Sequence, residues 1–166
     1  CEGGLSGLGA APGLGYTLAG TEVPAALRRE GEPFMRLKKV LIVDDSELVH
    51  KMHGLVLQRY QKCEVVHTYD GNQALEALNR NPDVQLILLD INMPVMDGLR
   101  FLEVRRQTGL FTDIPVIIIS TEGKEDDTAR GMALGAVGYV CKPFRPAQLH
   151  AVIDGLFESR GGSEAP

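Results

Sequence analysis

From Val40 onward the chain alternates five short apolar runs, rich in β-branched residues, with five longer amphipathic segments, and this alternation constrains the fold more than any other feature. A chain that exchanges a strand period for a helical one five times builds repeated βα units around a parallel sheet. The strands are predicted at Val40–Asp44, Glu64–Thr68, Gln85–Asp90, Pro115–Ser120 and Val137–Cys141. The helices are predicted at Ser46–Tyr60, Gly71–Asn79, Gly98–Gln107, Lys124–Leu134 and Pro146–Glu158. Leu86-Ile87-Leu88-Leu89 and Val116-Ile117-Ile118-Ile119 are apolar at every position, as expected of central strands covered by helices on both faces. The fold class is therefore α/β, a doubly wound five-stranded parallel sheet. Ser46 suits the N-cap of the first helix, and Pro146 stands at a first helical position, where its missing N–H costs nothing.

Composition bounds the function classes. The 166 residues fit one ordinary domain. Hydrophobic residues at 44% and charged residues at 23% exclude a disordered chain. Apolar runs such as Leu86–Leu89 are far below the roughly 18 residues that span a bilayer, so no membrane contact is expected. A net charge of −5 gives no basic face for nucleic acid. Cys1, Cys63 and Cys141 are too few and too scattered for a disulfide framework or a zinc site.

The first 34 residues differ from the rest. They hold 8 of the 19 glycines and three prolines, without a sustained apolar period. Such a stretch has too little apolar surface to pack. Residues 1–34 are expected to be a disordered or non-native leader, with the folded domain over 35–160 beginning at Met35, and 161–166 a flexible tail. The acidic Glu2 in place of a basic start, and the glycines between the leucines, exclude a signal peptide.

In an open parallel sheet, ligands bind beyond the carboxyl ends of the strands, near the point where strand order reverses. Those ends carry Asp44-Asp45, Asp90, Ser120 and, after the last strand, Lys142-Pro143-Phe144. Three clustered carboxylates repel unless a cation or shared proton relieves them. Hard oxygen ligands suit Mg²⁺ or Mn²⁺. An Asp oxygen left free beside such an ion can attack phosphorus, with Lys142 and Ser120 binding the oxygens of the arriving phosphoryl group.

The runs Leu41-Ile42-Val43-Asp44-Asp45-Ser46, Leu89-Asp90-Ile91-Asn92-Met93-Pro94-Val95-Met96-Asp97-Gly98, Pro115 to Thr121 and Gly138-Tyr139-Val140-Cys141-Lys142-Pro143-Phe144 resemble, in order and spacing, the receiver domains of bacterial two-component response regulators, the CheY-like family. The resemblance covers about Leu37 to Ser159. It implies a flavodoxin-like (βα)5 fold with strand order 2-1-3-4-5. It implies that Asp90 accepts phosphate from a phosphohistidine on a sensor histidine kinase or phosphotransfer protein. Asp45, Asp90 and the Asn92 carbonyl would ligate Mg²⁺, with Asp44 acting directly or through water. Ser120 and Lys142 would sense the phosphoryl group, and Tyr139 would turn inward as the aromatic switch. A cis peptide is implied at Lys142-Pro143. The remodelled face of helix four, strand five and helix five would bind a downstream target. Asn92 and Glu122 would tune hydrolysis, giving a phosphate lifetime suited to signalling. A cytoplasmic protein, monomeric or weakly dimeric, is implied.

With 24 residues after Lys142, the chain reads as a stand-alone regulator rather than an enzyme acting on a separate substrate. The loop from Thr121 to Asp127 resembles that of regulators in chemotaxis-type and pilus-motility pathways. A receiver fragment of a hybrid kinase or transcription regulator is the alternative. A haloacid-dehalogenase-like hydrolase also uses an Asp nucleophile and Mg²⁺, but that class wants DxD at its first strand. His50, His53, His67 and His150 form no ligand spacing and read as ordinary helix or surface histidines. His50 departs from the Arg or Lys that many receivers carry there.

Overall fold

The computed structural model describes residues 16–18, 37–121 and 125–161. Its order is β1 (Tyr16–Leu18), β2 (Lys39–Val43), α1 (Glu47–Leu57), β3 (Glu64–Thr68), α2 (Gly71–Arg80), β4 (Leu86–Asp90), α3 (Gly98–Thr108), β5 (Val116–Thr121), α4 (Glu125–Ala133), β6 (Gly138–Lys142) and α5 (Pro146–Gly161). Strands β2 to β6 pair in parallel in the order β3-β2-β4-β5-β6, which is the expected 2-1-3-4-5 arrangement.

The side-chain period of two divides the core. On β4, Leu86 and Leu88 enter a layer with Leu57 of α1 and Leu149, Val152 and Ile153 of α5. Ile87 and Leu89 point the other way, against Leu78, Phe101 and Leu102 of α2 and α3. Each strand interior must therefore be apolar at consecutive positions. At roughly 1.5–3 kcal/mol for each fully buried large aliphatic side chain, the two layers dominate the stability of the sheet.

Helix starts follow local chemistry. Asp70 and Asp97 accept from the backbone N–H groups of Gln73 and Arg100 at 2.9 and 2.8 Å, capping α2 and α3. Ser46 caps α1 through Val49, and Pro146 opens α5 as expected. Helix α1 stops at Leu57 rather than at the expected Tyr60. The Gln58 N–H divides between the Gly54 and Leu55 carbonyls, a tightened last turn, and the chain then reverses through Lys62 at φ 62°. Among the described residues, no helix is long and apolar enough to cross a membrane.

One addition departs from the five-stranded expectation. Tyr16–Leu18, inside the segment expected to be a disordered or non-native leader, forms β1 and pairs antiparallel with β6, Thr17 opposite Tyr139. The outer edge of β6 would otherwise present unpaired N–H and C=O groups, and Tyr-Thr-Leu is a short β-prone run without glycine or proline. The rest of the expected leader before Met35 and residues 162–166 of the expected tail lie outside the described residues.

Candidate functional site

The strand order reverses beside β2, which lies between β3 and β4, so the carboxyl ends of β2 and β4 open the crevice where this sheet type binds ligands. Asp44 and Asp45 directly follow β2, and Asp90 is the last residue of β4. The three carboxylates offer oxygens within 4.8 Å of one another, the one such acidic or metal-ligating group among the described residues. Asp44 is 1% exposed and Asp90 5%, whereas Asp45 is open to solvent.

Lys142, the last residue of β6, reaches into this rim. Its Nζ donates to Asp44 Oδ2 at 2.8 Å and to Asp90 Oδ1 at 3.4 Å. The other Asp44 oxygen accepts the Ser46 N–H at 2.9 Å. Burial pushes the Asp90 carboxyl up to about 6, with Asp44 and Asp45 adding to the rise and the Lys142 ammonium opposing it. The Lys142–Pro143 peptide is cis, as expected.

The loop after β4 depends on Gly98. A Cβ there would stand 2.3 Å from the Asp90 carbonyl oxygen, and the Gly98 N–H donates to the Ile91 carbonyl at 2.9 Å. Gly98→Ala should therefore lower stability by about 1–3 kcal/mol, read as a lower urea midpoint, since backbone atoms cannot yield as a side-chain tip can. An unchanged midpoint would show that the loop and α3 are free to shift.

Other predicted residues are placed as follows. Ser120 is fully buried on β5 and accepts a hydrogen bond from the Thr128 hydroxyl of α4 at 3.1 Å, with Cys141 Sγ 3.9 Å away. Tyr139 is half-buried on β6 against the α2–α3 side of the core. Asn92 is exposed just past Asp90, and Glu122 lies outside the described residues.

The sequence reading missed Thr128, whose bond to Ser120 joins β5 to α4. His50 and His53 do lie on a helix, α1, and that helix buries them, at 4% and 1% exposed. His53 stacks on Phe144 with ring centroids 5.7 Å apart, and neither ring nitrogen has a hydrogen-bond partner. Burial holds the His53 imidazole down to about 4, so it is neutral near pH 7.

The sequence of residues 40–154 matches the family model of the response regulator receiver domain. This chain belongs to the receiver family. A chemotaxis protein CheY homolog of Campylobacter jejuni is 30% identical over 127 residues, covering 76% of this receiver chain and 98% of the relative. Chemotaxis protein CheY1 of Helicobacter pylori is 34% identical over 111 residues, covering 67% and 90%. Among solved structures, chemotaxis protein CheY4 of Vibrio cholerae superposes with a TM-score of 0.64 at 33% identity, over 72% of this chain and 98% of that one. The receiver also aligns with half of a longer protein, the phosphate regulon regulator PhoB of Klebsiella pneumoniae, at 34% identity over 116 residues, 70% of this chain and 50% of that protein.

Proposed function

We propose that this receiver is the phosphoacceptor of a two-component system, taking a phosphoryl group on Asp90 from a phosphohistidine of a sensor histidine kinase or phosphotransfer protein. The observation that carries the reading is one buried carboxylate, Asp90, held 3.4 Å from the Lys142 ammonium in a rim shared with Asp44 and Asp45. Asp44, Asp45, Asp90 and the Asn92 carbonyl would hold Mg²⁺ or Mn²⁺, since crowded carboxylates with one open to water suit a hard dication. When bound, that ion neutralises the charge of the carboxylates and of the phosphoryl oxygens. Both Asp44 oxygens are already engaged, which supports a water-mediated part for Asp44 and direct ligation by exposed Asp45.

In the transfer, an Asp90 oxygen forms a bond to phosphorus as the phosphorus–nitrogen bond of the phosphohistidine breaks. The electron pair leaves with the imidazole, which takes up a proton. Lys142 donates to a phosphoryl oxygen, which stabilises charge at the reacting centre. Ser120 turns its hydroxyl toward the same group, altering the bond to Thr128 and so moving α4. Tyr139 then turns inward, and the face of α4, β6 and α5 takes up a target protein. Exposed Asn92, with Glu122, admits the water that hydrolyses the acyl phosphate.

The donor side has its own support. Leu48, Met52 and Leu55 stand exposed on α1 at 66%, 44% and 65%, one apolar stripe starting next to the acidic rim. An amphipathic helix of the kinase or phosphotransfer protein fits such a stripe at i, i+4 and i+7 spacing. The chemotaxis names of relatives covered almost end to end favour a chemotaxis regulator, while a cytoplasmic location and the pilus-motility alternative rest on the family resemblance alone. A second reading, a receiver within a larger transcription regulator, rests on the half-length match to PhoB.

The test is beryllofluoride with Mg²⁺ followed by NMR. Shifts are expected at Asp90, Ser120, Thr128 and Tyr139. Their absence from all four would overturn the reading, and a target-binding assay on the same sample reports the output.

A further inference from the structure

A groove of about 470 Å³ between α1 and β3 lies apart from the acidic rim, lined by Glu47, His50, Lys51, His67 and Tyr69 and bordered by Leu55 of the apolar stripe. Within it, His50 Nε2 sits 2.8 Å from the Asp44 backbone carbonyl. A carbonyl only accepts, so Nε2 carries the proton and the neutral ring keeps a lone pair on Nδ1. That Nδ1 faces His67 Nδ1 at 2.8 Å, and the hydrogen between them is therefore carried by His67. The rings belong to different elements, α1 and β3, with His50 almost fully buried and His67 exposed to the groove. Tyr69 donates to Glu47 at 2.9 Å, which places one carboxylate in the same groove.

The anchoring of one imidazole N–H on a backbone carbonyl is the outer-shell arrangement that orients metal-bound histidines. Imidazole nitrogens select borderline dications such as Zn²⁺ over Mg²⁺. We propose that His50 Nδ1 and His67 Nδ1 chelate a Zn²⁺-class transition-metal ion, with water as the remaining ligands, at a site distinct from the acidic rim. Two nitrogen–metal bonds form, and the proton on His67 Nδ1 moves through solvent to its Nε2, so no net proton is lost. The two nitrogens separate from 2.8 Å to about 3.3 Å, given tetrahedral bonds of about 2.0–2.1 Å. Rotation of the exposed His67 ring supplies that change.

The experiment is titration of Zn²⁺ into the full chain with Mg²⁺ in excess, followed through the histidine ring nitrogens by NMR and by calorimetry. Saturable shifts are expected at His50 and His67, with one ion bound. His67→Ala should weaken Zn²⁺ at least about tenfold. His67→Gln, which keeps a polar side chain on the exposed strand position, should lose as much, and Asp90→Asn should bind like wild type. Zn²⁺ affinity unchanged in both His67 variants, affinity lost in Asp90→Asn, or no binding at all would each overturn the site. None of these outcomes bears on the Mg²⁺-dependent shifts at Asp90, so the two readings fail separately.

Discussion

Asp90→Asn should take up no phosphoryl group from acetyl phosphate and Mg²⁺, and should nevertheless outlast wild type in urea near pH 7 when Mg²⁺ is removed. The first half follows because an amide oxygen is not a nucleophile of carboxylate strength and no other rim carboxylate stands in its place at the end of β4. The second half follows from charge. Burial first, then Asp44 and Asp45, lift the Asp90 carboxyl from 3.8 to about 6 against the pull of Lys142. The native state therefore keeps its proton to higher pH than the unfolded chain does. Between about pH 4 and 6 the native state binds more protons, so stability falls as pH rises through that window and stays reduced above it. Two pKa units correspond to at most about 3 kcal/mol. Asparagine carries no charge to desolvate, so the gain should appear near pH 7, shrink near pH 4, and shrink again on adding Mg²⁺, which stabilises wild type by binding. Phosphate uptake by Asp90→Asn, measured by intact-protein mass, would remove Asp90 as acceptor. A variant weaker than wild type at both pH values would show that its carboxylate is not under electrostatic stress.

The rim was legible in the sequence because each member sits where a βα unit must place it. Asp44-Asp45, Asp90, Ser120 and Lys142 each end or follow an apolar run, and parallel strands bring their carboxyl ends together. The two-sided core was legible for the same reason, since Leu86 to Leu89 has no polar face to give to solvent. What escaped depends on register and on edges. His50 and His67 are 17 positions apart and meet because β2 and β3 pair with Ile42 opposite His67. Neither residue type nor spacing announces that meeting. The bond between Ser120 and Thr128 needs the seating of α4 on β5, which an amphipathic pattern fixes only to within a turn. Tyr16–Leu18 is three residues long, too short to show a period, and becomes a strand through the free edge of β6. The sequence pattern carries α1 on to Tyr60 because apolar Leu57 and Tyr60 both continue the helical period, whereas the backbone tightens at Gln58.

Lys142→Ala should be the most damaging rim substitution in the Mg²⁺-free protein near pH 7. The Lys142 side chain is 23% exposed, and the Asp44 and Asp90 side chains it joins are 2% and 6% exposed, so its removal leaves two buried carboxylates facing each other without a counter-charge. Breaking such a pair from one side costs several kcal/mol, and partial exposure of the ammonium places the expected loss near the lower end, about 2–3 kcal/mol. The sign of the pH dependence follows from Asp90. Lys142 is the charge that restrains the rise of its carboxyl, so in the variant Asp90 holds its proton to still higher pH. Acidification supplies that proton and relieves the repulsion, so the deficit against wild type should narrow as pH falls from about 7 to about 5. Mg²⁺ should narrow it too, since a dication replaces the missing charge. Urea midpoints with and without Mg²⁺ at both pH values measure all of this, and a deficit equal under the four conditions would mean that Lys142 acts through packing of its stem. The functional consequence separates chemistry from signalling. Asp90 keeps its nucleophilic oxygens in Lys142→Ala, so beryllofluoride should still shift resonances around Asp90. The phosphoryl analogue would lack its anchor on β6, so the shifts at Ser120, Thr128 and Tyr139 should be lost. Retention of all three would place the link between the phosphate and α4 in Ser120 alone.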